Sequence, residues 1–203
     1  MTIILLVRHG QTEWNRVERF RGRVDLELNS NGLRQAEKTA IRIRNHWKPA
    51  AVFASPLLRA MQTARAIAAQ TDLAVQPVAE LIDIHYGAWQ GLTPEETRLR
   101  WPSELETWYR QPQDAVIPDG ETLIEVQRRA MNAVALAVKA YPTETIVMVS
   151  HTVVNRLILL GCLGVGIEHF WQIQQEPCAV NVIEAKGREF SLVSVNDTCH
   201  LEE

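Results

Sequence analysis

A chain of 203 residues, 46% hydrophobic and 22% charged, has the composition of a globular protein and the length of one domain with a substantial core. Its formal net charge of −3 at pH 7 excludes general nucleic-acid binding, which needs a basic surface, and leaves affinity for an anion to a few local arginines. The longest apolar stretch, Leu157 to Ile167, holds three glycines and is too short to cross a bilayer.

Strands are expected at 3–7, 51–54, 74–78, 145–149, 180–185 and 190–195, with helical segments between most of them. That alternation predicts an α/β fold, a three-layer α/β/α sandwich around a mainly parallel sheet. The first strand, Ile3-Ile4-Leu5-Leu6-Val7, is continuously apolar and runs into Arg8-His9-Gly10. In residues 31–47, Leu33, Ala36, Ala40, Ile43 and Trp47 recur at helical spacing behind Asn29, a plausible N-cap. After Ala51–Ala54, Ser55-Pro56 has the form of a helix start, a capping hydroxyl before proline at the first helical position. Arg59 then falls near the helix N-terminus.

Between residues 86 and 120 the pattern is broken by Pro94, Pro102, Pro112 and Pro118. This stretch reads as short helices and loops forming a lid insertion in a single domain of residues 1–203, placed where substrate choice is made. Thr122-x-x-Glu125 has the form of a capping box, opening a helix whose face includes Val126, Ala130, Val134, Ala137 and Tyr141. The strand Thr145–Val149 leads into Ser150-His151 and a helix from Thr152 to Leu160.

Ligands of open α/β sheets bind outside the carboxyl ends of the strands. Three strand ends therefore carry Arg8, His9, Arg59 and His151 to one edge. A neutral imidazole nitrogen on His9 can accept a phosphoryl group, and cationic neighbours keep the ring neutral. Its other nitrogen needs a fixed partner, for which a backbone carbonyl is expected. Arg8 and Arg59 suit a bidentate phosphate clamp. A cation at the start of a helix opposes the macrodipole, a conflict that a bound anion removes. His151 precedes a helix whose first N–H groups, Thr152 included, would point at the same anion. Taken singly, each residue has a plainer reading as a buried histidine or a surface arginine; their convergence carries the inference.

Together these motifs resemble the histidine phosphatase superfamily, which includes phosphoglycerate mutase-like enzymes. The matching pieces are Arg8-His9-Gly10, Asn15, Gly22-x-x-Asp25-x-x-Leu28, Gly32-x-x-Gln35-Ala36, Ser55-Pro56 through Ala64, Tyr86 through Gly91, and Ser150-His151. The resemblance implies phosphomonoester hydrolysis through a phosphohistidine at His9, on a small phosphorylated metabolite, with no metal and no cofactor. It implies Asn15 as a phosphate donor. It also points to Arg21, Gly22 and Tyr86 as substrate contacts. Many relatives place a glutamate three residues before the Tyr-Gly pair; here Asp83 stands there and is the expected general acid, ahead of Glu80.

Two rivals remain: a cofactor-dependent phosphoglycerate mutase, and a protein that binds phosphorylated ligands without turnover. The His9, His151 and Asp83 set argues against the second, because binding alone needs no acid. Against the first, Pro94 stands where mutase relatives carry a lysine, and their paired lid arginines are reduced to Trp108-Tyr109-Arg110. The odd count of cysteines (Cys162, Cys178, Cys199), without metal-like spacing, suits a reducing compartment. With no basic lead before the five-residue N-terminal apolar run, a signal peptide is not expected. The chain is therefore expected to be cytoplasmic, with no membrane partner. A homodimer stays open.

Overall fold

In the computed structural model, residues 1–202 are described. The elements are β1 (Thr2–Arg8), α1 (Glu13–Arg16), α2 (Ser30–His46), β2 (Pro49–Ala54), α3 (Leu58–Thr71), β3 (Val75–Pro77), α4 (Pro94–Arg100), α5 (Pro102–Arg110), α6 (Leu123–Ala140), β4 (Thr145–Ser150), α7 (Thr152–Leu163), β5 (Val180–Lys186) and β6 (Glu189–Asp197). The strands form one sheet in the order β3-β2-β4-β1-β5-β6. The first four are mutually parallel, while β5 runs antiparallel to both β1 and β6. The sheet is thus mixed, with the expected parallel core extended by an antiparallel pair.

The alternation of strand side chains explains why both faces are covered. Leu5, Val7, Val52, Ala54, Val147 and Val149 pack against Ala40 and Ile43 of α2 and Ala60, Ala64 and Ile67 of α3. On the other face, Ile4, Leu6, Ile146, Met148 and Ile183 meet α6 and α7 through Val126, Ala130, Val134, Val154 and Leu157. Fully buried residues such as Ile43 and Ile67 each contribute roughly 1.5–3 kcal/mol by leaving water.

Two local expectations need correcting. Leu33, placed on the apolar face of α2, is half exposed; the buried face is Gly32, Ala36, Thr39, Ala40 and Ile43. Ser55-Pro56 does not open a helix, because α3 begins at Leu58 behind Leu57. Ser55 instead prolongs the ladder, its N–H donating to the Val149 carbonyl. The α3 N-terminus is capped from a distance: Asp25 Oδ1 accepts the Leu58 N–H at 2.6 Å.

The capping signals elsewhere are present. Asn29 accepts from Gly32 N–H at the start of α2, and Thr122 and Glu125 form a capping box at α6. In residues 86–120 two of the prolines act as α-helix starts: Pro94 opens α4 behind a Thr93–Glu96 capping box, and Pro102 opens α5. Trp89 and Trp108 are buried edge to face, 6.1 Å apart, and Trp108 packs on Phe170 at 5.7 Å. This aromatic cluster joins residues 86–120 to the main core. No helix among the described residues is long and apolar enough to cross a membrane.

Candidate active site

The loop after β1 is held by close backbone contact. A Cβ on Gly10 would stand 2.6 Å from the Gly32 carbonyl oxygen, so the loop and the start of α2 can meet only as glycines. Gly10 N–H donates to Thr63 Oγ1 at 3.1 Å, and Gln11 N–H to Gln35 Oε1 at 2.9 Å. His9 N–H donates to the Ser150 carbonyl, tying this loop to the end of β4. The Gly32-x-x-Gln35 pattern is therefore scaffolding for His9.

His9 is 1% exposed, and its Nδ1 lies 2.7 Å from the Gly10 carbonyl. A carbonyl accepts only, so Nδ1 carries the proton and Nε2 keeps its lone pair. Burial first, then Arg59, Arg8 and Arg21, hold the His9 pKa well below its ordinary value of 6.5. The ring is neutral at physiological pH, as a phosphoryl acceptor must be.

His151 stands 5.1 Å from His9 between ring centroids. Burial, then Arg59, keeps it neutral too. Its Nε2 is 2.7 Å from Ser55 Oγ, which also accepts the Leu57 N–H at 3.4 Å. The Ser55 hydroxyl has no other acceptor among the described residues, so it is assigned as the donor to Nε2, which places the proton of His151 on Nδ1. That nitrogen has no hydrogen-bond partner in the protein and lies 3.7 Å from Asp83 Oδ2. It is a free donor for an incoming oxyanion. Ser55, read from the sequence as a helix cap, thus sets the tautomer of His151.

The guanidinium of Arg59 is fully buried, donating to the Val24 and Gly22 carbonyls at 2.9 and 2.8 Å and to Asp83 Oδ2 at 3.1 Å. Its Nε has no partner. Arg8 donates from Nη1 to the Gln175 carbonyl and likewise leaves Nε unpartnered. Burial first, then Arg21, lowers the Arg8 pKa to about 9, which leaves it cationic at neutral pH. Asp83 is 5% exposed, with Oδ1 accepting the Ile84 N–H. Burial raises its pKa, and the nearby Arg59 and Arg21 oppose that shift without cancelling it.

A cavity of about 450 Å³ opens over this cluster, within the range of small-molecule sites. Arg8, Asn15, Arg21, Asp83, Tyr86 and Thr152 line it, whereas His9, Arg59 and His151 lie just outside the lining, in the buried layer. Asn15 serves two ends: Oδ1 accepts the Thr12 N–H and hydroxyl at the start of α1, and its amide nitrogen is uncommitted. Thr152 Oγ1 is buried without a partner at the start of α7.

Gly22 departs from expectation. It does not line the cavity; at φ +50°, with Gln90 Oε1 2.8 Å from where a Cβ would be, it turns its carbonyl onto Arg59. Its motif partner Asp25 caps α3, so Gly22-x-x-Asp25 positions the arginine and not the ligand. Glu80, the alternative acid, is absent from the lining and offers its carbonyl to Arg129 at 2.6 Å. Arg110 faces solvent beside Glu106.

Sequence reasoning missed Arg156, Phe170 and Trp171, all in the cavity wall. The signal for Arg156 was its place four residues after Thr152 on one helical face. Among the described residues, no group of three or more His, Cys, Asp or Glu could hold a metal ion.

Across residues 4–198 the sequence matches the histidine phosphatase superfamily, branch 1. The chain belongs to that family. Phosphoserine phosphatase 1 of Hydrogenobacter thermophilus is 33% identical over 204 residues, covering 100% of this chain and 96% of the relative. Among solved structures, Bacillus stearothermophilus YhfR superposes with a TM-score of 0.95 at 28% identity, covering 100% of both chains. A phosphoserine phosphatase from Entamoeba histolytica, in complex with 3-phosphoglyceric acid, superposes with a TM-score of 0.89 at 28% identity over 100% of both chains.

Proposed function

We propose that this histidine phosphatase hydrolyses small phosphomonoesters through a phosphohistidine on His9 Nε2. In the first step Nε2 attacks phosphorus, the P–N bond forms and the P–O bond to the leaving group breaks. Protonated Asp83 gives its proton to the departing oxygen. In the second step the Asp83 carboxylate takes a proton from water as that water attacks phosphorus, the P–N bond breaks, and phosphate leaves. Arg8, Arg59, Asn15, Thr152 and His151 Nδ1–H stabilise the equatorial oxygens, donors fixed before charge develops.

The observation that carries this reading is the pairing of two environments. The His9 ring is held neutral with its attacking lone pair free, while burial beside it raises the pKa of the Asp83 carboxyl above its ordinary value. A site built only for binding needs neither. The relatives named for phosphoserine hydrolysis make phosphoserine a candidate substrate. Water as acceptor is favoured over a returning sugar acid because Pro94 lines the cavity without charge and Arg110 points away from it.

The test is to incubate the enzyme with 3-phosphoglycerate and 2,3-bisphosphoglycerate and follow 2-phosphoglycerate and free phosphate separately. Phosphate should accumulate, insensitive to EDTA and blocked by orthovanadate. Rapid isomer formation with negligible phosphate release would assign a mutase instead.

A further inference from the structure

Arg156 takes no part in the phosphoryl chemistry, yet its side chain is held firmly at the cavity wall. It sits on α7 one turn beyond Thr152, about 6 Å further along the helix axis from the phosphate end. Its Nε–H donates to the Ile173 carbonyl at 2.6 Å, and its guanidinium carbon is 5.0 Å from the ring centroids of both Phe170 and Trp171. Trp171 is itself anchored by its indole N–H, 2.8 Å from the Trp108 carbonyl. One nitrogen and two aromatic faces thus fix the guanidinium. Among the described residues no acceptor takes its Nη1 or Nη2, and Arg156 lines the cavity.

A fixed guanidinium with two uncommitted amino groups matches the two oxygens of a carboxylate. Glu18 and Glu176 line the same cavity beside Arg8, Arg19 and Arg21, and Glu176 is the carboxylate whose field acts on Arg156. At Arg156 itself, the charge of Glu176 disfavours a second dianionic phosphate and leaves a singly charged group as the better partner. We propose that Arg156 is a specificity-determining residue that binds a carboxylate on the leaving group, so that the preferred substrates are phosphate esters of short hydroxy acids. The proposal rests on the phosphatase reading and narrows it.

The experiment compares kcat/KM for 3-phosphoglycerate and glycerol 3-phosphate, which differ in the carboxylate. The wild type should prefer the acid by about ten- to a hundredfold, the worth of a charge-assisted hydrogen-bonded pair. Arg156→Gln should bring that ratio close to one, mainly through KM, and Arg156→Lys should restore part of it. A wild-type ratio near one overturns the proposal without any variant. Equal losses on both esters in a folded Arg156→Gln protein overturn it as well, because they indicate a structural role. Hydrolysis of nitrophenyl phosphate by the wild type separates the two levels: its absence sinks the phosphatase reading, and its presence beside a ratio of one sinks only the carboxylate subsite.

Discussion

His9 and Asp83 owe their reactivity to burial acting with opposite sign on a base and an acid. Replacing His9 by Ala removes the nucleophile, so turnover should fall by about four orders of magnitude or more; phosphate release with an intact circular dichroism spectrum checks this. For Asp83→Asn, kcat/KM on alkyl phosphates should drop by about a hundredfold or more, the usual worth of a general acid. Nitrophenyl phosphate, whose leaving group needs no proton, should lose much less; equal losses would indicate that Asp83 only positions Arg59. The pH profile follows from the same shifts. The neutral ring of His9 persists below pH 6.5, while protonated Asp83 is lost as pH rises through its raised pKa. Alkyl ester hydrolysis should therefore peak on the acid side of neutrality. Most of these residues were legible because strand ends and helix starts mark themselves in sequence. Ser55 and Gly22 misled, since a hydroxyl before proline and a glycine in a substrate-side loop each have a commoner use than orienting His151 or Arg59. Arg156 stayed hidden because a single arginine within Val153-Val154-Asn155-Arg156-Leu157 reads as the wet side of an apolar helix.

At the level of elements, α6 does more than cover the sheet. Arg129, on its inner side, donates to the carbonyls of Glu80 and Ile82 at 2.6 Å each and of Asp83 at 3.2 Å, and grips Glu121 through Nε and Nη2 at 3.1 Å. Ser150 Oγ adds a bond to the Leu81 carbonyl. The segment bearing the acid has no strand or helix of its own beyond one tight turn, so these side chains fix its path. Arg129→Met should cost about 2–3 kcal/mol of stability, measured by urea unfolding, because three part-buried carbonyls and the Glu121 carboxylate lose their donor together. It should also raise the ratio of nitrophenyl to alkyl phosphate turnover, and Arg129→Lys should recover part of that ratio. A stability loss with an unchanged ratio would show that Arg129 supports the fold but not the acid. The elements themselves were read well where a cap or a continuously apolar run announces them, as at Thr122 and β1. The start of α3 was not, because its cap, Asp25, is 33 residues away in sequence, beyond any local signal.

For the whole molecule, two histidines buried as neutral rings make stability depend on pH. Their folded pKa values lie below the ordinary 6.5, so between those limits the unfolded chain binds more protons. Stability should therefore fall as pH drops below 6.5, by up to about 1.4 kcal/mol per pH unit for each ring. Asp83, with its raised pKa, works against this at lower pH, since it favours the folded state as it protonates. Urea midpoints measured from pH 7.5 to 5 check the sign; a midpoint that rises on acidification would contradict it.

The order of the sheet has a consequence for how the chain acquires its shape. β1, made first, hydrogen-bonds to nothing near it in sequence: its two neighbours are β4, residues 145–150, and β5, residues 180–186. On the ribosome, Ile3 to Val7 must wait for most of the chain to emerge before either edge is paired. Such distant pairing slows folding and exposes an unpaired apolar strand to aggregation meanwhile. Moving the chain ends, by joining them through a flexible linker and reopening the chain between Tyr141 and Thr145, would place β4 at the start and β1 after β5 and β6. The linker must be long enough to run the length of the sheet, since Asp197 is level with Val7 and not with Met1. That permutant should refold faster than the natural chain, because β1 would then follow both of its partners.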